Sequence, residues 1–184
     1  MRTTGRIAVI VLVVLAGTAA ERVDVGSASA PGGVERKDPA PPKAGPQEVD
    51  VVAVIADPRS SAPMVILQRK RDGRHLAMTI GAAEATGIAI PLQGATPPRP
   101  LTHDLFLTLF GRLNVVLKRV VITDLRDDIY YATVYLTAGA TEMTLDSRPS
   151  DAIALAIRAR VPVLVEDRVF DKTGRDPLPR RPSI

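Results

Sequence analysis

The stretch that most constrains this chain runs from Asp146 to Asp167, DSRPSDAIALAIRARVPVLVED. A polar cluster of Asp146, Ser147, Arg148, Ser150 and Asp151 surrounds Pro149. The apolar run Ala152–Ile157, the cations Arg158 and Arg160, and the short apolar run Val161–Val165 follow. Proline favours the first turn of a helix, and Ser and Asp favour its positive end. The stretch therefore predicts a loop, a capped helix and a buried strand. Helix starts also hold phosphates and other anions, so the polar entrance is a candidate site as well as a cap.

The remainder of the folded region reads as strands and helices of matching size. Val49–Ala56, Met64–Lys70 and His75–Ile80 are strand-like, and Asp72-Gly73 marks a hairpin between the last two. A helix is expected over Ala82–Ile90, ended or kinked by Pro91. Pro97, Pro98 and Pro100 make the next segment a loop. Thr102 is the expected cap of a second helix, with Leu101 and Phe106 spaced as a hydrophobic staple and an apolar face of Leu105, Phe106, Leu109, Phe110 and Leu113. Val115–Thr123 and Ile129–Thr137 alternate as strands around Asp127-Asp128, and Thr141–Leu145 leads into the opening stretch. The expected fold is one compact α+β domain with a mixed or antiparallel sheet and about three helices.

An internal echo gives this arrangement a second dimension. At a shift of about 65 residues, Met78-Thr79-Ile80 falls on Met143-Thr144-Leu145, and Ile88-Ala89-Ile90 falls on Ile153-Ala154-Leu155. Each half then reads strand, turn, strand, helix. Two such repeats would put Glu84 and Pro149–Ser150 at equivalent helix starts.

Composition excludes several chemistries. Without cysteine there is no disulfide framework, thiolate nucleophile or Cys-based zinc site, and two histidines, His75 and His103, leave little for a His-rich metal site. The formal charge of +4 shrinks to a surplus of two from Gln47 onward, 18 Lys and Arg against 16 Asp and Glu, so charge alone does not argue for nucleic acid. Local cationic groups exist at Arg69-Lys70-Arg71 with Arg74, at Lys118-Arg119, and at Arg158 with Arg160. A solvated hairpin is the simpler account of the first. Three tyrosines, Tyr130, Tyr131 and Tyr135, on one strand suit packing better than a base-stacking platform.

The ends follow different rules. Residues 1–20 combine Arg2 and Arg6, an apolar run Ile7–Ala16 and small residues, the pattern of a secretory signal cleaved after Ala20. The apolar run is short of the roughly 20 residues of a membrane span, and an uncleaved anchor is the alternative. Either reading places the chain outside the cytoplasm: exported to the periplasm or medium, or tethered to the outer face of the cytoplasmic membrane. Residues 21–46 read as a Pro-rich disordered linker, 47–174 as the domain, and 175–184 as a basic, Pro-rich tail.

Three segments together resemble the bifunctional nuclease (BFN) domain family: Gly81-x-x-Glu84-Ala85 with Ile88-Ala89, Pro98-Arg99-Pro100-Leu101-Thr102-His103-Asp104-Leu105, and Asp146-Ser147-Arg148-Pro149-Ser150-Asp151-Ala152-Ile153-Ala154-Leu155-Ala156. The similarity runs from about Val49 to Gly174. It implies a compact α+β domain and, for the members that give the family its name, cleavage of DNA and RNA. Pro91 where the family continues its helix with alanine, Ser147 in place of alanine, and the signal-like start depart from the pattern.

Phosphodiester cleavage needs an activated water or hydroxyl, charge neutralisation and a stabilised leaving oxygen. Carboxylates holding Mg²⁺ or Mn²⁺ supply all three. On this reading Glu84, Asp146 and Asp151 are the metal ligands. Glu84, His103, Asp104, Asp146 and Asp151 are the catalytic candidates, and Arg99, Arg148 and Ser150 the substrate-binding ones. The competing role for the acids is structural, as caps and dipole partners paired with Arg148. The partners expected are nucleic acid, a second copy of the chain to cover an edge near Val115–Thr123, and a membrane only if the leader is retained. The alternative function is a non-catalytic interaction or regulatory domain built on the same polar motifs.

Overall fold

A computed structural model describes residues 45–174. The expected signal, the tail and nearly all of the linker lie outside them. No helix among the described residues is long and apolar enough to cross a membrane.

Two three-stranded meanders build the domain, each followed by a helix. The first comprises β1 (Gln47–Ala56), β2 (Pro63–Arg69), β3 (His75–Thr79) and α1 (Ala82–Leu92). The second comprises β4 (Val115–Arg126), β5 (Ile129–Ala138), β6 (Thr141–Ser147) and α3 (Pro149–Ala159). Between them lies α2 (Thr102–Arg112), and after them β7 (Val163–Val165) and α4 (Asp167–Lys172). The seven strands form one mixed sheet in the order β3-β2-β1-β7-β4-β5-β6. All neighbours are antiparallel except β4 and β7. β7 thus joins the two meanders, and the echoed hairpins occupy opposite ends of the sheet.

The α+β class is as expected, with four helices rather than about three. Helix α4 was not anticipated; it buries Val169 and Phe170 with only six residues, too few for a visible period. The turn at Asp127-Asp128 is tight, both residues having left-handed φ of 47° and 61°, a hairpin conformation that Asp tolerates. The strand Val115–Thr123 is not an edge: β4 lies between β7 and β5. The true edges are β3 and β6.

The core gathers on α3. Its Ala152, Ile153, Ala154, Leu155 and Ala156 are buried against Val65, Leu67, Val120, Ile122, Val134 and Leu136 of the sheet. Alanines at three of these positions let α1 and the sheet approach the helix closely. The Tyr130 hydroxyl donates to the Ala77 carbonyl, 3.4 Å away. Strands distant in the sheet order therefore meet, so the sheet curls around α3. Three of the four hairpin cations are structural. Arg69 is buried between Asp72 and Asp167 with its guanidinium over Phe170, Lys70 pairs with Glu48, and Arg74 donates to the Phe170 carbonyl.

Candidate functional site

Three helices begin on one rim of the domain, and each carries an acid at its third position: Glu84 in α1, Asp104 in α2, Asp151 in α3. An acid there answers the partial positive charge of the unpaired amides. No side chain caps the three helices; the N-cap residues are Gly81, Leu101 and Arg148. Thr102, expected as a cap, is instead the first helical residue of α2. Asp104 substitutes for it by reaching back to accept from the Leu101 amide at 2.8 Å.

Arg148 joins two of these starts. Its Nε donates to Asp151 Oδ2 at 2.7 Å and its Nη2 to Asp151 Oδ1 at 3.2 Å, while Nη1 donates to Glu84 Oε1 at 2.9 Å. The fork is thus bidentate on one carboxylate and shared with another. The two helix starts related by the internal echo face each other through this side chain. Its hydrogen bonds to Asp151 first, and to Glu84 after it, hold the guanidinium above its ordinary pKa. Even so, the Arg148 side chain is 66% exposed.

His103, from the start of α2, completes the group. Its Nε2 lies 3.4 Å from Asp151 Oδ1. Its Nδ1 turns toward Gly87 of α1, where a Cβ would stand 3.3 Å from Nδ1 and 3.0 Å from Cε1. A Cβ there would press the imidazole aside by a few tenths of an ångström, which gives a reason for a glycine in a helix interior. Ser150 is buried beside Arg148 in the first turn of α3.

The cluster lies where surface grooves meet. A groove of about 480 Å³ between α2 and β6 is lined by His103, Phe106, Phe110, Leu145, Asp146, Arg148 and Asp151, among others. A second, of about 390 Å³ between α1 and α2, is lined by Glu84, Thr86, Gly87, His103, Arg148 and Asp151. Ser150, Glu84 and Arg148 border a third on the β3 side.

The other candidates stand apart. Asp146 is exposed and lines the α2–β6 groove, yet shares no hydrogen bond or ion pair with the cluster among the described residues. Arg99 is exposed in the loop before α2 and borders none of these grooves. Asp104 serves a structural clamp. Its Oδ1 accepts from Arg158 Nε at 2.8 Å, and Arg158 Nη1 donates to the carbonyls of Gly87 at 2.6 Å and Ala154 at 2.9 Å. Burial pushes the Asp104 carboxyl up, but the Leu101 amide and Arg158 outweigh it and hold the group below the usual carboxylate range.

This clamp explains how α1 runs through Pro91 to Leu92 instead of ending at Ile90. Proline lacks the N–H that would satisfy the carbonyl four residues earlier, which is Gly87. Arg158 supplies that donor from α3. Reading the chain alone missed both Gly87 and Arg158, although a glycine and a proline four apart in one helix marked the place.

A resident divalent cation does not fit this donor set. Glu84 and Asp151 are both engaged by Arg148, Asp146 stands outside their network, and among the described residues no three His, Asp or Glu side chains converge on a metal position.

A curled α+β sheet around one buried helix, with acid, guanidinium and imidazole gathered at three helix starts, defines a compact domain with one polar rim. The model of the bifunctional nuclease domain matches residues 65–177. An uncharacterized protein of Mycobacterium tuberculosis strain H37Rv is 38% identical over 127 residues, covering 69% of this chain and 76% of its own. Bifunctional nuclease 1 of Oryza sativa subsp. japonica is 31% identical over 131 residues, covering 68% of this chain and 40% of its own. Bifunctional nuclease 2 of the same rice is 28% identical over 133 residues, covering 69% and 41%. The chain belongs to the bifunctional nuclease domain family. The match spans about two fifths of each rice protein.

Proposed function

We propose that this rim binds and hydrolyses phosphodiesters of DNA or RNA. The reading rests chiefly on one observation: the family's three separated motifs deliver Glu84, His103, Arg148 and Asp151 into one contiguous network bordering open grooves. The names of the rice relatives support it.

The chemistry follows from the exposure of Arg148. A phosphate oxygen offered to its fork competes with the carboxylates and releases at least one of them from its ion pair. Asp151 then holds the His103 imidazole by Nε2–H and balances its charge, leaving Nδ1 to accept a proton from water in the α1–α2 groove. The water oxygen bonds to phosphorus, the ester P–O bond breaks, and the proton passes to the leaving oxygen. Gly87 keeps Nδ1 clear. We assign no step to Mg²⁺ or Mn²⁺, because both carboxylates are engaged by Arg148.

A second reading, a non-catalytic interaction or regulatory domain, draws on the observation that all three helix-start acids are already ion-paired. Incubating the full chain with single- and double-stranded DNA and RNA, in Mg²⁺, Mn²⁺ or chelator, separates the two. His103→Ala and Asp151→Asn should each lower cleavage by at least about 100-fold while still melting cooperatively. Absence of cleavage in every arm favours the second reading, and undiminished cleavage in both variants overturns the assignment of His103 and Asp151.

A further inference from the structure

Helix α2 has the apolar face expected of it, but the domain leaves most of that face uncovered, with Phe110 alone of it packed on the core. Leu105–Gly111 reads LFLTLFG without a charge, and no residue of α2 is buried. Leu105, Phe106, Leu109 and Leu113 are 64, 49, 49 and 61% exposed. A short helix draws most of its stability from packing such a face, and large contiguous apolar patches on monomers mark interaction sites.

The patch continues onto β6. Met143 and Leu145 are exposed, opposite Leu136 and Val134 of β5, which are buried. Leu145, Phe106 and Phe110 line one groove, so helix and strand share a surface. β6 ends the sheet, and among the described residues its outer row of amide and carbonyl groups faces no strand. It has no Pro, no Lys and no bulge in its ladder, and Glu142 and Asp146 are its only charges. The opposite edge is treated differently: β3 has only five residues and is met by Tyr130.

We propose that a second copy of this chain docks on this face, pairing β6 with its counterpart across a two-fold axis and laying α2 against α2. An open ladder calls for an extended strand that can donate hydrogen bonds. A lipid surface has no such ladder to offer. Residues 31–46 and 175–184 carry Pro31, Pro39, Pro41 and Pro42, and Pro177, Pro179 and Pro182, and proline cannot donate, while the proline-free run Ile7–Ala16 has the pattern of a leader. A second β6 fits, because an antiparallel pair about a two-fold axis is self-complementary. An axis through Met143 sets Glu142 opposite the partner's Thr144 and keeps the acids of the strand apart. The second copy also walls the open side of the α2–β6 groove, beside Asp146 and Arg148.

Sedimentation equilibrium of the full chain tests this. The expected mass is twice 19.6 kDa. Leu109→Glu and Met143→Lys, both at exposed positions, should melt as the parent does yet raise the dimer dissociation constant at least about 30-fold. A monomeric parent overturns the proposal, as does a doubled mass that neither variant lowers. So does a mass that grows without limit, or a monomer that pellets with anionic phosphatidylserine vesicles through Leu109. A monomer whose β6 amides resist hydrogen exchange also overturns it, since a segment of the same chain would then cover the strand. His103→Ala should leave the mass doubled, so the interface and the hydrolytic reading fail separately.

Discussion

Arg148 and Arg158 stand ten residues apart at the two ends of α3, and both tie that helix to the acids of its neighbours. Arg158 is 7% exposed and holds one carboxylate and two backbone carbonyls from three helices. Arg148 is 66% exposed and holds two carboxylates, with nothing of the main chain. The chemistry is the same and the surroundings are opposite. A buried guanidinium that satisfies backbone groups cannot leave them without stranding polar atoms in the interior. An exposed one can exchange partners with water or phosphate at little cost. The first is architecture, and the second is available for function.

The comparison breaks most visibly on stability. Arg158→Ala strands the Asp104 carboxylate and the Gly87 carbonyl, and should lower stability by about 3 kcal/mol, the lower end for a broken buried pair because Asp104 retains some water. Arg148→Ala should change stability by no more than about 1 kcal/mol. Denaturant unfolding of the two variants measures both. Equal losses would erase the distinction.

A smaller effect sharpens the assignment of Arg158. Pro91→Ala restores an N–H that can reach the Gly87 carbonyl, so the helix regains its own donor. Arg158→Ala should then be less damaging in the Pro91→Ala background than in the parent, with a coupling of about 1 kcal/mol in a double-mutant cycle. Strict additivity would show that the Arg158 bond to Gly87 is incidental.

Much of this was legible in the chain. Alternation gave the strands of both meanders, Pro149 gave the start of α3, and the internal echo put Glu84 and the Pro149–Ser150 entrance at equivalent helix starts, where Arg148 now joins Glu84 to Asp151. What stayed hidden depends on partners distant in sequence. Arg158 reads as half of a basic pair with Arg160 until α1 and α2 are packed against α3. Asp104 reads as a catalytic candidate until that same packing commits it to Arg158. The apolar stripe of α2 reads as core, because periodicity reports that a face is apolar and not whether the same chain covers it. Arg99, placed in a stiff loop among prolines, had no periodicity to say which way it pointed.

The central claim is that Arg148 changes partners when a phosphodiester arrives and Arg158 does not. Arginine Nε–Hε resonances of the ¹⁵N-labelled full chain, followed while a short single-stranded oligonucleotide is added, report on each guanidinium directly. His103→Ala and chelator in the buffer keep the strand intact during the titration. The account predicts a saturable shift of the Arg148 signal with the Arg158 signal unmoved. An Arg148 signal that stays fixed while the oligonucleotide binds elsewhere, or two arginine signals that move together, would contradict it.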